Sequence, residues 1–201
     1  SNSSDSLLER DLEDYAEENV PFLELKFACS PENLRLGQAI DVFNNPDRVV
    51  IGVRCQQDKI KLSQLIFPIT KNVEWMSIES AEMTKHAINA FLATSIVFAN
   101  ELASICEAVG ANAKEVERGM KTEARIGPEA YVSAGGPFAG GTLARDIRYL
   151  SSFCEKYELL NPVLTSVLPS NDEHKSWIKR KLSKHFGDIS GKNIGVWGLT
   201  Y

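Results

Sequence analysis

A lysine and an asparagine, Lys85 and Asn89, lie four residues apart in the longest periodic apolar segment of the chain, residues 80–109. Residues with this spacing share one face of an α-helix. An ammonium group and an amide on a buried helix face need polar partners, because burial without them costs several kcal/mol. The pair is therefore either a polar site on a buried face or part of a solvent-exposed stripe, and the pattern leaves both open.

A second segment, residues 125–142, is rich in glycine, contains two prolines and has few charged side chains. Its composition predicts a structured loop in which the backbone approaches a ligand closely. Arg125 would present a guanidinium group to an anion, although a surface arginine also accounts for it. Arg145 and Asp146 are predicted at the start of the next helix, where an acidic side chain suits the helix dipole.

The composition excludes several classes of protein. The chain has 201 residues and a net charge of −5 at pH 7, which argues against recognition of a nucleic-acid backbone. No apolar run approaches the roughly 20 residues that span a bilayer, so no membrane partner is expected. The cysteines are widely spaced, and free thiols in a reducing cytoplasm are the better interpretation. The histidines lack ligand spacing, so no metal site is expected.

The first 79 residues alternate between strand and helix patterns. After an acidic helix at residues 6–19, we expect strands at residues 22–29, 48–53 and 73–78, with helices at residues 30–43 and 57–67 between them. Ser30 would be the N-cap of the first of these two helices. The order predicts an α/β layer, but no Gly-x-Gly-x-x-Gly turn is present. We therefore interpret residues 1–79 as the second half of a Rossmann-like domain.

Residues 80–186 are predicted to form an all-α domain around one long helix. The 80–109 segment is apolar on more than one stripe, which favours packing against a second subunit and predicts a homodimer. Gly110 would end this helix, and Asn112 would begin the next as part of a capping box. Helices at residues 143–158 and 171–186 follow the glycine-rich loop. Residues 191–199 would be the first strand of a further α/β domain that begins at residue 187.

Five motifs in this order resemble segments of the UDP-glucose/GDP-mannose dehydrogenase family. They cover nearly the whole chain, and together they are more specific than any single glycine motif. The five matching segments are residues 30–40 with 45–52, residues 81–94, residues 125–128, residues 137–146 and residues 191–199.

The resemblance implies a core fragment of a three-part enzyme. An N-terminal NAD-binding domain and a C-terminal UDP-sugar-binding domain would flank the central helical dimerisation domain. The family oxidises the CH–OH group of a nucleotide sugar twice with NAD, from alcohol through aldehyde to acid. Polysaccharide precursor biosynthesis in the cytoplasm is the corresponding role.

The resemblance also implies roles for catalytic residues. Lys85 would stabilise developing oxyanion charge, and Asn89 would help to hold that oxygen. Asp146 would orient a water or transfer a proton, and Glu32 would match a carboxylate associated with thioester hydrolysis. Thr142 occupies the position of the nucleophilic cysteine.

The implied binding residues are distributed along the chain. Arg125 would reach a nucleotide sugar held by the partner subunit. Leu34, Phe138 and Gly140 would contact the substrate. Arg145 would replace a lysine near the NAD cofactor.

Two departures from the family pattern put the full reaction in question. A thiolate captures the aldehyde so that a second oxidation gives a thioester, and the hydroxyl of Thr142 is a far weaker nucleophile. Leu36 replaces the second family carboxylate. The leading hypothesis is an enzyme that does not complete both oxidations by this route. The alternatives are a catalytically idle homologue serving as a dimerisation or scaffold module and, more weakly, another dehydrogenase with a long central helix.

Overall fold

The computed structural model describes residues 15, 18, 19, 26–32 and 37–198. These residues fall into two compact units, which divide at Ile88 and Asn89 within one long helix. The predicted acidic helix lies mostly outside the described residues, although Tyr15, Glu18 and Asn19 are helical. The fold class is mixed α/β with a small sheet and a long helix, which confirms the predicted class.

The first unit contains a three-stranded sheet in the order β1-β2-β3. The strands are β1 (Ala28–Cys29), β2 (Val49–Val53) and β3 (Val73–Met76), and the helices between them are α1 (Ala39–Asn44) and α2 (Gln56–Ile66). β2 runs parallel to β3, with Ile51 opposite Trp75, whereas β1 is antiparallel to β2. The apolar side chains of Val50 and Ile51 on β2 are buried, as expected for a central strand.

The predicted helix start at Ser30 is wrong. Residues 30–32 are not helical, and the described part of the following helix begins at Ala39. The hydroxyl of Ser30 donates to the backbone oxygen of Val50 at 3.2 Å instead of capping a helix. The sheet therefore uses the polar group that local sequence assigned to a cap.

Gly52 lets the long helix begin directly against the sheet. A Cβ atom at Gly52 would lie 2.6 Å from the Cα of Ile78 and 2.8 Å from the Cβ of Ala81. Ile78 and Ala81 are buried there, in the first turn of α3 (Ile78–Val109). Only glycine allows this approach, which fixes the start of the helix that carries Lys85.

Helix α3 has 32 residues, which confirms the predicted long helix. The helix ends at Val109 and is followed by Gly110, whose φ of +77° suits glycine. Its most apolar window has a mean hydropathy of 1.4, so the helix is long and apolar enough to cross a membrane. This corrects the expectation that no segment is long and apolar enough. The core helices of soluble proteins have the same length and composition, so the finding is weak evidence for a membrane.

The second unit packs four shorter helices with the remainder of α3. They are α4 (Ala113–Thr122), α5 (Thr142–Lys156), α6 (Pro162–His174) and α7 (Trp177–Phe186). The side chain of Asn112 accepts a hydrogen bond from the backbone N–H of Lys114, which confirms the predicted N-cap. Residues from α3, α5, α6 and the glycine-rich loop form the core: Ala90, Ala93, Val97, Phe138, Ala144, Ile147 and Val167.

Two predicted elements near the C-terminal end are wrong. The single helix at residues 171–186 is instead the end of α6 and a separate α7, with a turn at Lys175 and Ser176. Pro169 lies inside α6, where sequence alone suggests a break. Residues 192–198 form no strand and are exposed, with Trp197 fully so. A strand needs neighbours for its backbone groups, and none of the described residues pairs with this segment.

Candidate functional site

Lys85 is held by an ion pair inside the first unit. Its ammonium nitrogen Nζ lies 3.3 Å from Oε1 of Glu32, and the Lys85 side chain is only 27% exposed. Glu32 follows β1 directly, and the hydrogen bond from Ser30 to β2 holds this part of the chain against the sheet. The structure thus brings together two predicted catalytic residues that are 53 positions apart. Lys85 has the polar partner that a half-buried ammonium group requires.

Cys29 lies beside this ion pair. Burial raises the pKa of its thiol, the carboxylate of Glu82 raises it further, and the ammonium group of Lys85 opposes both. A thiol with a raised pKa is mostly protonated at neutral pH and is a poor nucleophile. Cys29 therefore lacks the environment of an activated thiolate nucleophile.

Asn89 and Asp146 are joined by a hydrogen bond inside the second unit. Nδ2 of Asn89, on α3, donates to Oδ2 of Asp146, on α5. The Asp146 side chain is 1% exposed. The guanidinium nitrogen Nε of Arg145 lies 3.4 Å from the other carboxylate oxygen, Oδ1, while most of the Arg145 side chain is exposed. These contacts give a buried carboxylate an amide donor and a positive neighbour.

The position of Asp146 in its helix differs from the prediction. α5 begins at Thr142 with Gly141 as the N-cap residue, so its first turn contains no acidic side chain. Asp146 lies in the second turn, on the face that packs into the core next to Ile147. Packing against α3, rather than the helix dipole, therefore places this carboxylate. Thr142 is exposed at the first position of the helix.

Three side chains that sequence reasoning missed hold the backbone of the glycine-rich loop. Asn171 accepts from the N–H of Phe138 and donates to its carbonyl, both at 2.9 Å. Asn100 accepts from the N–H of Gly135 at 2.8 Å, and Nε2 of His174 donates to the carbonyl of Gly135 at 2.8 Å. No local motif marks these residues; the only signal in the sequence is an amide within an otherwise apolar helical pattern, as at Asn100 and Asn171.

The predicted binding residues have different environments. Phe138 is buried in the core, whereas Gly140 is exposed in the turn before α5. Arg125 is exposed beyond α4, and its Nε lies 2.8 Å from Oε1 of Glu123. Arg125 lowers the pKa of the Glu123 carboxyl by donating hydrogen bonds from its side chain and its backbone N–H. Leu34, together with Leu36, lies outside the described residues.

Comparisons with known proteins agree on the family. Residues 79–173 match the central domain of the UDP-glucose/GDP-mannose dehydrogenase family. The chain is 38% identical to a UDP-glucose 6-dehydrogenase of Rickettsia bellii, over 87% of this chain and 41% of that protein. It is 36% identical to a UDP-glucose 6-dehydrogenase of Pseudomonas aeruginosa, over 87% of this chain and 39% of that protein.

A solved structure supports the same assignment. A UDP-glucose dehydrogenase from the archaeon Pyrobaculum islandicum matches with a TM-score of 0.78 and 28% identity, over 88% of this chain and 40% of that one. The chain thus spans about two fifths of the length of the relatives that it matches. Because its similarity to UDP-glucose 6-dehydrogenases extends over 87% of its length, the chain belongs to the UDP-glucose/GDP-mannose dehydrogenase family.

Proposed function

We propose that the protein that carries this chain oxidises the CH–OH group of a nucleotide sugar of the UDP-glucose type, with NAD as the hydride acceptor. The observation that carries the proposal is the buried carboxylate of Asp146, which receives the amide of Asn89 from another helix. Burying a carboxylate in a helical core is costly, and a packing position would be filled better by an apolar residue. The names of the relatives give the substrate class.

Lys85 would stabilise negative charge on the substrate oxygen as the alcohol is oxidised. Its partial burial strengthens that electrostatic interaction relative to water. Glu32 would hold the ammonium group in one orientation between substrates through their ion pair at 3.3 Å. Glu32 would also match the family carboxylate that is associated with hydrolysis of the thioester, a step that follows only a second oxidation.

Asn89 and Asp146 would hold and move the proton of the substrate hydroxyl or of a water. The amide of Asn89 orients the carboxylate through its hydrogen bond to Oδ2. Asp146 would then accept or return a proton at the other oxygen, Oδ1, next to the guanidinium group of Arg145.

Thr142 would limit the reaction to one oxidation. Its side chain is exposed at the N-terminus of α5, and its hydroxyl lacks the acidity of a thiol. Without a thiolate, the aldehyde is not captured for a second oxidation by the family's covalent route. The aldehyde or its hydrate would be the released product.

Arg125, Leu34, Phe138 and Gly140 would contact the nucleotide sugar, Arg125 across a subunit boundary. The Arg125 side chain is 87% exposed, so its guanidinium group would be accessible to a phosphate. Gly140 would contribute through its exposed backbone. Any role of Phe138 would be indirect, because its backbone N–H and carbonyl are hydrogen-bonded to Asn171 and its side chain is buried in the core.

NAD fits this chain only in part. Arg145 is the residue that would lie near the cofactor, and its exposed guanidinium group suits a phosphate or a carboxamide oxygen. The sequence contains no Gly-x-Gly-x-x-Gly turn for the pyrophosphate. When bound, NAD would accept the hydride, and the residues of this chain would position the substrate and its proton.

The domain organisation belongs to the same proposal. Residues 1–79 would be the end of the NAD-binding domain, residues 80–186 the dimerisation domain, and residues 187–201 the start of the UDP-sugar-binding domain. The enzyme would act in the cytoplasm on polysaccharide precursors, with neither a nucleic acid nor a membrane as partner.

A homodimer through α3 would cover an apolar seam on this helix. Phe91, Phe98 and Ile105 recur every seven residues and are 70%, 50% and 58% exposed. Side chains seven residues apart lie along one face of a helix, and the interfaces of paired helices repeat with the same period. Val109 continues the seam at the end of the helix and is also exposed. A second copy of α3 would therefore exclude water from these residues.

An idle homologue that serves as a dimerisation scaffold is the second candidate. Two observations favour it: the exposed hydroxyl of Thr142 at the cysteine position, and the seam, which is complete in this chain. The deciding experiment incubates the full-length protein with NAD and UDP-glucose, and compares it with its Lys85→Ala variant. NADH formation that depends on Lys85 supports the enzyme. Equal rates in the two proteins would remove Lys85 from the mechanism, and no NADH from either would favour the scaffold.

A further inference from the structure

The glycine-rich loop is attached to the helices through side-chain amides rather than through regular secondary structure. Asn171 makes both hydrogen bonds to the backbone of Phe138, as a neighbouring strand would. Oδ1 of Asn100 accepts a hydrogen bond from the backbone N–H of Gly135. We define Asn100 and Asn171 as the amide clamp. They come from two different helices, α3 and α6, and they reach the loop three residues apart.

Both members of the amide clamp are buried. Asn100 is 2% exposed and Asn171 is 4% exposed. Nδ2 of Asn100 finds no acceptor among the described residues, so this side chain gains hydrogen-bond energy only through the loop. A position used only for packing would be served better by an apolar residue of similar size. Contact with the loop is therefore the physical reason for an amide at residue 100.

The clamp ends where the exposed turn begins. Residues 139–142 follow Phe138 directly and are all exposed, and a Cβ atom at Gly140 or Gly141 would meet nothing within 4 Å. Glycines without such contacts have wide conformational freedom, so the turn needs an external restraint to adopt one conformation. Phe138, which is anchored by Asn171 and buried in the core, supplies that restraint at one end, and helix α5 supplies it at the other.

We propose that the amide clamp positions the exposed turn at residues 139–142 for the nucleotide sugar. Asn100 and Asn171 are positioning residues, since they act through the backbone of Gly135 and Phe138. This inference rests on the proposed function for its ligand, whereas the ordering of the turn is independent of it. Loss of the clamp would leave the candidate catalytic side chains in place. It would weaken substrate binding, because the turn would then lose conformational entropy when the substrate binds.

The test uses the full-length protein with Asn171→Leu, which keeps the side-chain volume and removes both hydrogen bonds to Phe138. Amide hydrogen exchange in residues 138–142 should become about tenfold faster or more at Phe138, whose N–H loses its buried acceptor. The KM for UDP-glucose should rise about tenfold, while kcat and the KM for NAD change less than about twofold. Asn100→Leu should give the same changes with a smaller amplitude, because it removes one bond.

Val167→Ala is the matched control for lost stability. Val167 is a buried core residue on the same helix as Asn171 and makes no hydrogen bond to the loop through its side chain. This variant should lower the melting temperature and leave both exchange at residues 138–142 and the KM for UDP-glucose at wild-type values.

The outcomes separate the two proposals. Unchanged exchange at residues 138–142 in Asn171→Leu would overturn the clamp, and so would faster exchange with an unchanged KM. An equal rise of KM for UDP-glucose in Val167→Ala would mean that general destabilisation, and not loss of the two hydrogen bonds, weakens binding, and it would also overturn the clamp. If the wild-type protein neither binds UDP-glucose nor forms NADH, the proposed function fails, and the exchange measurement alone decides whether the clamp orders the turn.

Discussion

Nδ2 of Asn89 donates a hydrogen bond to Oδ2 of Asp146, and this bond joins the long helix α3 to the helix that follows the glycine-rich loop. The two residues are 57 positions apart in the sequence. Asp146 is almost completely buried, so the bond operates where the dielectric constant is low. One contact thus positions a candidate proton-transfer group and helps to fix the packing of two helices.

Replacing Asn89 by alanine should affect both stability and activity. Asn89→Ala leaves the buried carboxylate without its amide donor, which should lower the free energy of unfolding by about 1–3 kcal/mol. Urea unfolding measures this loss, and NADH formation should fall together with it. Ser95→Ala is the control on the same helix: its hydroxyl donates only to the backbone of Phe91, so the change should stay below about 1 kcal/mol. Equal stability losses in the two variants would contradict a special role of the Asn89–Asp146 bond.

Lys85→Ala should separate catalysis from stability. The ion pair with Glu32 is partly exposed, so its loss should change the free energy of unfolding by less than about 1 kcal/mol. Removal of a group that stabilises an oxyanion should lower kcat by about 100-fold or more. Arg54→Ala breaks another exposed ion pair in the same unit, with Glu79, and should leave kcat unchanged. A Lys85→Ala variant that is strongly destabilised, with normal kcat, would make this lysine a structural residue.

A charge in the apolar seam should prevent dimer formation. Phe98→Glu places a carboxylate at the centre of the repeat formed by Phe91, Phe98 and Ile105, where a second helix would bury it at high cost. Sedimentation velocity at micromolar concentration should show a dimer for the wild type and a monomer for the variant. Ile178→Glu changes another exposed apolar residue, on α7, and should remain dimeric. A wild-type monomer would defeat the dimer proposal.

Gly52→Ala should destabilise the first unit. The added methyl group would lie 2.6 Å from the Cα of Ile78, so the sheet or the helix must shift. Overpacking of this kind costs about 1–3 kcal/mol, which thermal unfolding would measure. Gly119→Ala is the matched control inside α4, where a Cβ atom meets nothing within 4 Å, and it should raise stability by about 0.5–1 kcal/mol. Destabilisation of similar size in both variants would argue against the close contact.

Periodicity and capping patterns predicted the elements whose signals are local. The apolar repeat of residues 80–109 predicted α3 within two residues, and Asn112 is the N-cap of α4 as expected. Lys85 and Asn89 could be chosen because they are polar residues within a strongly apolar pattern. The sequence did not predict that Glu32 would pair with Lys85 or Asp146 with Asn89, because tertiary packing alone brings these residues together.

The failures share a physical cause, which is that long-range contacts override local preference. Ser30 has the local signature of an N-cap, but its hydroxyl donates a hydrogen bond to the backbone oxygen of Val50 on β2. Residues 192–198 have the composition of a buried strand and find no neighbour among the described residues. Asn100 and Asn171 could not be recognised as loop anchors, because their partners are backbone groups at least 33 positions away.

The number of NADH molecules formed per UDP-glucose consumed tests the central claim most directly. We predict one for the full-length wild-type protein, since Thr142 lacks the nucleophilic thiolate that the second oxidation requires. Thr142→Cys places a thiol at the start of α5 and should move the ratio toward two. A ratio of two in the wild type would contradict the account, because Thr142 or another group would then replace the thiolate.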